Sequence, residues 1–311
     1  MGVGGFTASD WNSYASTHVS NKSVDDIFTA KAMNEGFDPK DVLRESRDST
    51  DHPESTPIII GLDVTGSMGC VLEQVAKELG NMVLEILERQ PVKDPQIMFN
   101  AIGDSQCGDQ YPLQVTQFES DIRIAKQLTD LYFERGGGGN DFESYPLTWY
   151  FAANHTVCDN FEKRGKKGFI FTMGDDSYPK VLYADEIKRI FGDQIKGAGE
   201  LTMNEVLSQV NRSWEVFHLI LKDGSNMRWN NGEDAPRVIS EWTNLLGERA
   251  IIVSDYTKIP QIIVSILETM AGKTIDEITE SWDGSTAVVV REALSGLTTK
   301  NKSDNSGLIE F

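Results

Sequence analysis

From Pro57 onward, short apolar runs alternate with longer amphipathic stretches, the pattern of a mostly parallel sheet covered by helices on both faces. The runs predict strands over Ile58–Asp63, Gln96–Ile102, Leu113–Gln117, Gly168–Met173, Trp214–Leu221 and Ala250–Ser254. Ile58-Ile59-Ile60 and Phe169-Ile170-Phe171 carry no polar alternation, so their strands are expected in the centre of the sheet with both faces buried. Leu113–Gln117 is the expected antiparallel edge. Helices fit Val71–Arg89, Asp121–Phe133, Phe142–Ala153, Ala184–Phe191, Thr202–Val210, Pro236–Leu246 and Ile259–Ala271. In the first of these, Val71, Leu72, Val75, Leu79, Met82, Val83, Ile86 and Leu87 keep the three-to-four spacing of a core-facing stripe.

Residues 1–56 read differently. They are polar, with only short apolar periodicities such as Val24, Ile27, Phe28 and Ala32, and are expected to form an arm. Ser23-Val24-Asp25-Asp26 is a helix start, and Asp38-Pro39-Lys40-Asp41 through Arg47 a second, with proline at the first helical position. Ser49 to Pro57 then reads as an extended linker. The domain is expected over residues 57–272, and 273–311 as a C-terminal extension that is largely a flexible tail. Two long polar loops, Gly192 to Glu200 and Lys222 to Ala235, interrupt the alternation, and the second carries Trp229.

Charge narrows the function. The 311 residues hold 29 Lys and Arg against 48 Asp and Glu, a net charge of −19. A nucleic-acid partner is excluded on this ground, because a phosphate backbone is held by clustered cations and the sequence has no basic stripe. No apolar stretch reaches the roughly 18 residues of a membrane span. Met1-Gly2-Val3-Gly4-Gly5-Phe6 has no signal-peptide pattern, so a cytoplasmic location without membrane attachment is expected. Cys70, Cys107 and Cys158 are scattered and read as reduced thiols. His18, His52, His155 and His218 make no triad or zinc pair, and His218 is expected in the core.

Three acidic loops carry the candidate chemistry. Gly61-Leu62-Asp63-Val64-Thr65-Gly66-Ser67-Met68-Gly69 closes the most apolar strand just before a long helix, where open parallel sheets bind their ligands. A tight turn can point the carboxylate of Asp63 and the hydroxyls of Thr65 and Ser67 into one space, and such hard oxygen donors suit Mg²⁺, Mn²⁺ or Ca²⁺. The bland alternative is that they only cap the helix. The second loop, Gly136-Gly137-Gly138-Gly139-Asn140-Asp141-Phe142-Glu143-Ser144, adds two carboxylates beside a flexible glycine run but lacks the Lys-Ser/Thr of a phosphate loop. Thr172-Met173-Gly174-Asp175-Asp176 closes a further buried strand.

Asp63-Val64-Thr65-Gly66-Ser67 resembles the Asp-X-Ser/Thr-X-Ser signature of von Willebrand factor A domains, whose metal-ion-dependent adhesion site (MIDAS) holds a divalent cation. The Asp-Val-Thr-Gly-Ser-Met and Gly-Gly-Gly-Asn-Asp-Phe-Glu forms are especially similar to bacterial and hemicentin-like members. The resemblance spans about residues 57–272 and implies a Rossmann-like, doubly wound, mostly parallel six-stranded sheet flanked by helices. It makes Thr65 and Ser67 hydroxyl ligands, Asp63 a ligand or water-holding carboxylate, and Asp175 the third-loop acid. Asp141 stands in the place of the family's threonine ligand and is expected on the metal, a departure that alters the charge of the site, while Glu143 and Asp176 are expected as outer carboxylates behind the ligands or in solvent, not as direct ligands. The implied function is non-enzymatic: a protein partner, in intracellular bacterial relatives an AAA+ ATPase, completes the metal's coordination with an acidic side chain. Loop Lys222–Ala235 with Trp229 is expected to supply partner contacts.

Two other readings compete. Asp63-Val64-Thr65-Gly66 also resembles the nucleophile loop of haloacid-dehalogenase-like phosphotransferases, in which Asp63 would attack a phosphoryl group with Mg²⁺ assistance. Thr65, however, occupies the position of their second Asp, and no cap domain follows the first strand. Alternatively, the metal only ties the loops of a structural scaffold together, with arm and tail wrapping neighbouring subunits.

Overall fold

A computed structural model describes residues 4–133, 140–195, 199–228 and 232–298. Its strands are β1 (Arg44–Ser46), β2 (Thr56–Asp63), β3 (Pro95–Ile102), β4 (Leu113–Val115), β5 (Thr156–Cys158), β6 (Gly168–Gly174), β7 (Val181–Tyr183), β8 (Glu200–Thr202), β9 (Trp214–Leu221) and β10 (Ala250–Val253). The six strands expected from the apolar runs form one sheet in the order β10, β9, β6, β2, β3, β4. All neighbours are parallel except β4, which is the antiparallel edge on β3. Helices flank both faces, a mixed α/β architecture compatible with a Rossmann-like fold.

The two central strands are buried on both faces because neither offers a polar position to solvent. Along β2, Ile58, Ile60 and Leu62 enter one core with Val75, Leu79 and Ile86 of helix α3 (Gly69–Arg89), whereas Ile59 enters the opposite core with Trp149 and Trp242. Alternation of side chains along the strand assigns Gly61 and Asp63 to the Ile59 side.

The stretch expected as an arm is built into the first core. Helix Ala8–His18 buries Trp11 and Ala15, and Val19, Ile27, Phe28 and Phe37 follow them inward. Trp11 lies flat in a notch of α3 at Gly80, where a Cβ would come within 2.1 Å of the indole, so only glycine admits the ring. Ser23 caps helix Val24–Ile27 as expected. The second expected helix, Asp38 to Arg47, does not form. A 3₁₀ turn over Glu35–Phe37 precedes β1, which pairs in parallel with β5. That partner lies more than a hundred residues away, and its ladder overrides the local helix signal of Asp-Pro.

The residues after 272 also contain regular structure. Helices Ile275–Glu280 and Gly284–Leu294 pack Ile278, Val290 and Leu294 into the first core, and Thr274 and Glu277 close a reciprocal capping box. Helix Phe142–Ala153 starts later than expected, at Pro146, because Phe142 forms a β-bridge to Ser177 and Glu143 N–H donates to Ser177 O. No described helix is long and apolar enough to cross a membrane.

Candidate cation site at the strand ends

After β2 the chain builds β3 and β4 on one side and β6, β9 and β10 on the other, so the sheet reverses direction between β2 and β6. In open α/β sheets that crevice, beyond the carboxyl ends of the strands, is the place for a ligand. Asp63 ends β2, and Asp175 follows Gly174, the last residue of β6.

Asp63 is fully buried. Its Oδ1 accepts from Thr65 N at 2.9 Å and from Thr65 Oγ1 at 2.6 Å, and its Oδ2 accepts from the Tyr145 hydroxyl at 2.9 Å. Tyr145 reaches Asp63 across Gly174, where a Cβ would lie 1.9 Å from the phenol oxygen. Burial, and then the charge of Asp63, holds the Tyr145 phenol protonated, as a donor must be. Ser67 lies in the turn Gly66–Met68, with its side chain outside the described atoms. Capping alone does not account for Asp63 and Thr65: the N-cap of α3 is Met68, which makes no side-chain capping bond.

The second loop arrives differently from its expected form. Gly136 to Gly139 lie outside the described residues. Asp141 is on the surface, its side chain 71% exposed and paired with Arg237 at 3.2 Å. Glu143 is the buried member, 5% exposed, with an Oε2 that has no hydrogen-bond partner among the described residues. The roles expected of the two acids are therefore reversed in burial. The Phe142–Ser177 bridge lies between them, with Asp141 outside beside a guanidinium and Glu143 turned inward.

Asp104, just past the end of β3, was not legible as a site residue, although it obeys the same strand-end rule. It is buried, and its Oδ1 accepts from Gln106 N at 2.8 Å and from Ser144 Oγ at 3.4 Å. Asp175 is fully buried, and Asp176 is partly so.

These acids face one another electrically. Burial, and then the Asp175 charge, push the Asp63 carboxyl up to about 7. Asp176 rises to about 6 for the same two reasons. Glu143 rises to about 11, first from burial and then from Asp63, Asp104, Asp109 and Asp176. His218 offers no compensating charge. It is buried against Trp242, with ring centroids 3.5 Å apart, takes a hydrogen bond with Thr172, and is held neutral by burial.

The donor set is of the kind that suits a divalent cation: its atoms are hard oxygens, two carboxylates are buried at neighbouring strand ends, and one buried acceptor has no donor among the described residues. Among the described residues, no three His, Cys, Asp or Glu side chains are grouped so that they alone could hold a metal ion. Hydroxyls and water would have to supply the remaining positions. Trp229 lies outside the described residues. Cys158 is buried, its thiol pushed up to about 12 chiefly by burial, and Cys107 is half-buried.

No family model and no curated protein match the chain. Among solved structures, it is similar to the pilus adhesin SpaC from Lactobacillus rhamnosus GG in its open conformation, at 9% identity and a TM-score of 0.46, covering 73% of this chain and 31% of the adhesin. It is also similar to the conserved hypothetical protein BatB from Bacteroides thetaiotaomicron, at 15% identity and a TM-score of 0.31 over 53% of this chain and 66% of that one. A third likeness, to proximal thread matrix protein 1 from the mussel byssus, has 9% identity and a TM-score of 0.40, covering 74% and 48%. The chain thus spans about a third of the adhesin's length.

Proposed function

We propose that the chain is a von Willebrand factor A-like module that captures another protein through a divalent cation at the ends of β2 and β6. The observation that carries this reading is the placement of Asp63 and Asp175, both fully buried, on either side of the sheet's switch point with their like charges repelling. Two buried like charges are costly unless something neutralises them, and a cation such as Mg²⁺, Mn²⁺ or Ca²⁺ does so while presenting an open position to a ligand. Thr65 and Ser67 would hold the ion through their hydroxyls, and Asp63 and Asp175 would balance its charge. The partner supplies a Glu or Asp side chain, and an AAA+ ATPase is the proposed class.

The phosphotransferase reading has less support. Asp63 is fully buried, and both of its oxygens already accept hydrogen bonds, which is poor preparation for in-line attack on phosphorus. The test is calorimetric titration of EDTA-stripped protein with each cation. One-to-one binding that Ser67→Ala weakens is expected, and Asp63→Ala should abolish metal-dependent partner capture with the fold intact. Absence of binding to any of the three cations would overturn the reading.

A further inference from the structure

Glu143 is held from three sides. Its own N–H donates to Ser177 O beyond β6 at 3.1 Å, Ser144 N–H donates to Gly103 O beyond β3 at 3.1 Å, and Tyr145 donates to Asp63 at the end of β2. The residue is thereby fixed among the ends of the three strands that carry the acids. Its Oε2 is shielded from solvent and has no donor among the described residues. Buried carboxylate oxygens without donors are rare in folded proteins, and each needs an explanation.

Packing does not supply that explanation. An apolar side chain of the same size would fill the space without the desolvation cost, and the neighbouring charged groups are carboxylates, which offer no donor. No described residue supplies the donor. Water is the donor that fits, because the surroundings are polar and a bridging water needs several such partners.

We infer that Glu143, and not Asp141, is the second-loop acid of the cation site, its Oε2 accepting a hydrogen bond from a water of the ion's hydration shell. The inference rests on the cation-site reading above. It agrees with the lack of any three acids grouped to hold an ion directly among the described residues, since Glu143 acts at one water's remove. It also assigns the surface carboxylate of Asp141 to its ion pair with Arg237.

The experiment titrates stripped full-length protein with Ca²⁺ and Mg²⁺ alone, comparing wild type with Glu143→Gln, Glu143→Asp, Asp141→Asn and Thr65→Ala. Outer-sphere acids of metal sites are typically worth ten- to a hundredfold in affinity. Glu143→Gln should therefore weaken binding by about tenfold or more, Glu143→Asp should recover part of the loss, and Asp141→Asn should stay within about twofold of wild type. Circular dichroism and melting in EDTA establish that each variant is folded. If Glu143→Gln binds like wild type while Thr65→Ala does not, the inference falls and the cation site stands. Failure of the wild type to bind would remove both.

Discussion

The two ends of the same sheet treat their carboxylates in opposite ways. Before β2 and β6, Asp48 accepts from Arg164 at 2.8 and 3.0 Å, from Lys163 at 3.2 Å, and from the amide and hydroxyl of Ser55. Asp159 accepts from Arg47 at 2.9 Å and lies 2.7 Å from Lys163. Both acids are held below the usual carboxylate range, Asp48 chiefly by Arg164 and Asp159 by Lys163, the Asp48 amide and Arg47 against an opposing cost of burial. Beyond the same strands, Asp63, Asp176 and Glu143 are pushed up, because burial and one another's charges outweigh the donors they meet. The net charge of −19 therefore has two meanings in one molecule. Where cationic donors surround an acid it ties segments together, and where they do not, burial and like charge raise its proton affinity, the situation that the proposed cation would relieve.

The largest expected effect tests the uncompensated end. At a hundredfold excess over its Kd, a cation that binds only the folded state should stabilise stripped protein by about 2.7 kcal/mol. Thermal and urea unfolding read this directly, and an unchanged midpoint would remove the contrast between the two ends. Next comes the compensated end. Asp48→Ala deprives Arg164, Lys163 and the Ser55 amide and hydroxyl of their acceptor and should cost about 2 kcal/mol. Its cation affinity should match wild type, as sites this far apart act independently.

The third test is the pH dependence, in which the two ends should slope in opposite directions. Asp48 has a folded pKa below its unfolded value, so the unfolded chain takes up the proton first. Its contribution is complete above about pH 4 and is lost as the pH falls below that, and Asp48→Asn should flatten this acid limb. Asp63 has a folded pKa raised to about 7, so the folded chain keeps a proton that the unfolded chain releases. Stripped protein should therefore lose stability as the pH rises from about 4 toward 7, and saturating cation should reduce that slope. Urea midpoints across the range, with and without Ca²⁺, measure both slopes; a cation-independent basic slope would separate Asp63 from the proposed site.

Much of the architecture was legible because it depends on neighbours a few positions away. Ile58-Ile59-Ile60 and Phe169-Ile170-Phe171 announced the two strands that flank the switch point, and helix Ala184–Phe191 has the bounds its periodicity predicts. Helix Ile275–Glu280 had a readable signal in its Thr274–Glu277 capping box, hidden by the polar composition around it. The partnership of Arg44–Ser46 with Thr156–Cys158 had no local signal, since a parallel pair is joined through the rest of the fold.

Sequence alone determined that acids stand at the ends of adjacent apolar strands, because strand limits and side-chain alternation are local properties of the chain. Tertiary structure decided which of those acids are buried together. Asp141 and Glu143 are two residues apart and chemically alike, yet one faces Arg237 at the surface and the other is buried with an Oε2 that meets no donor among the described residues. Tyr145 meets Asp63 across 82 positions of sequence, and Asp104 joins them from a third strand end. Burial and electrostatic coupling depend on such distant neighbours, and for that reason they appear only when the chain is folded.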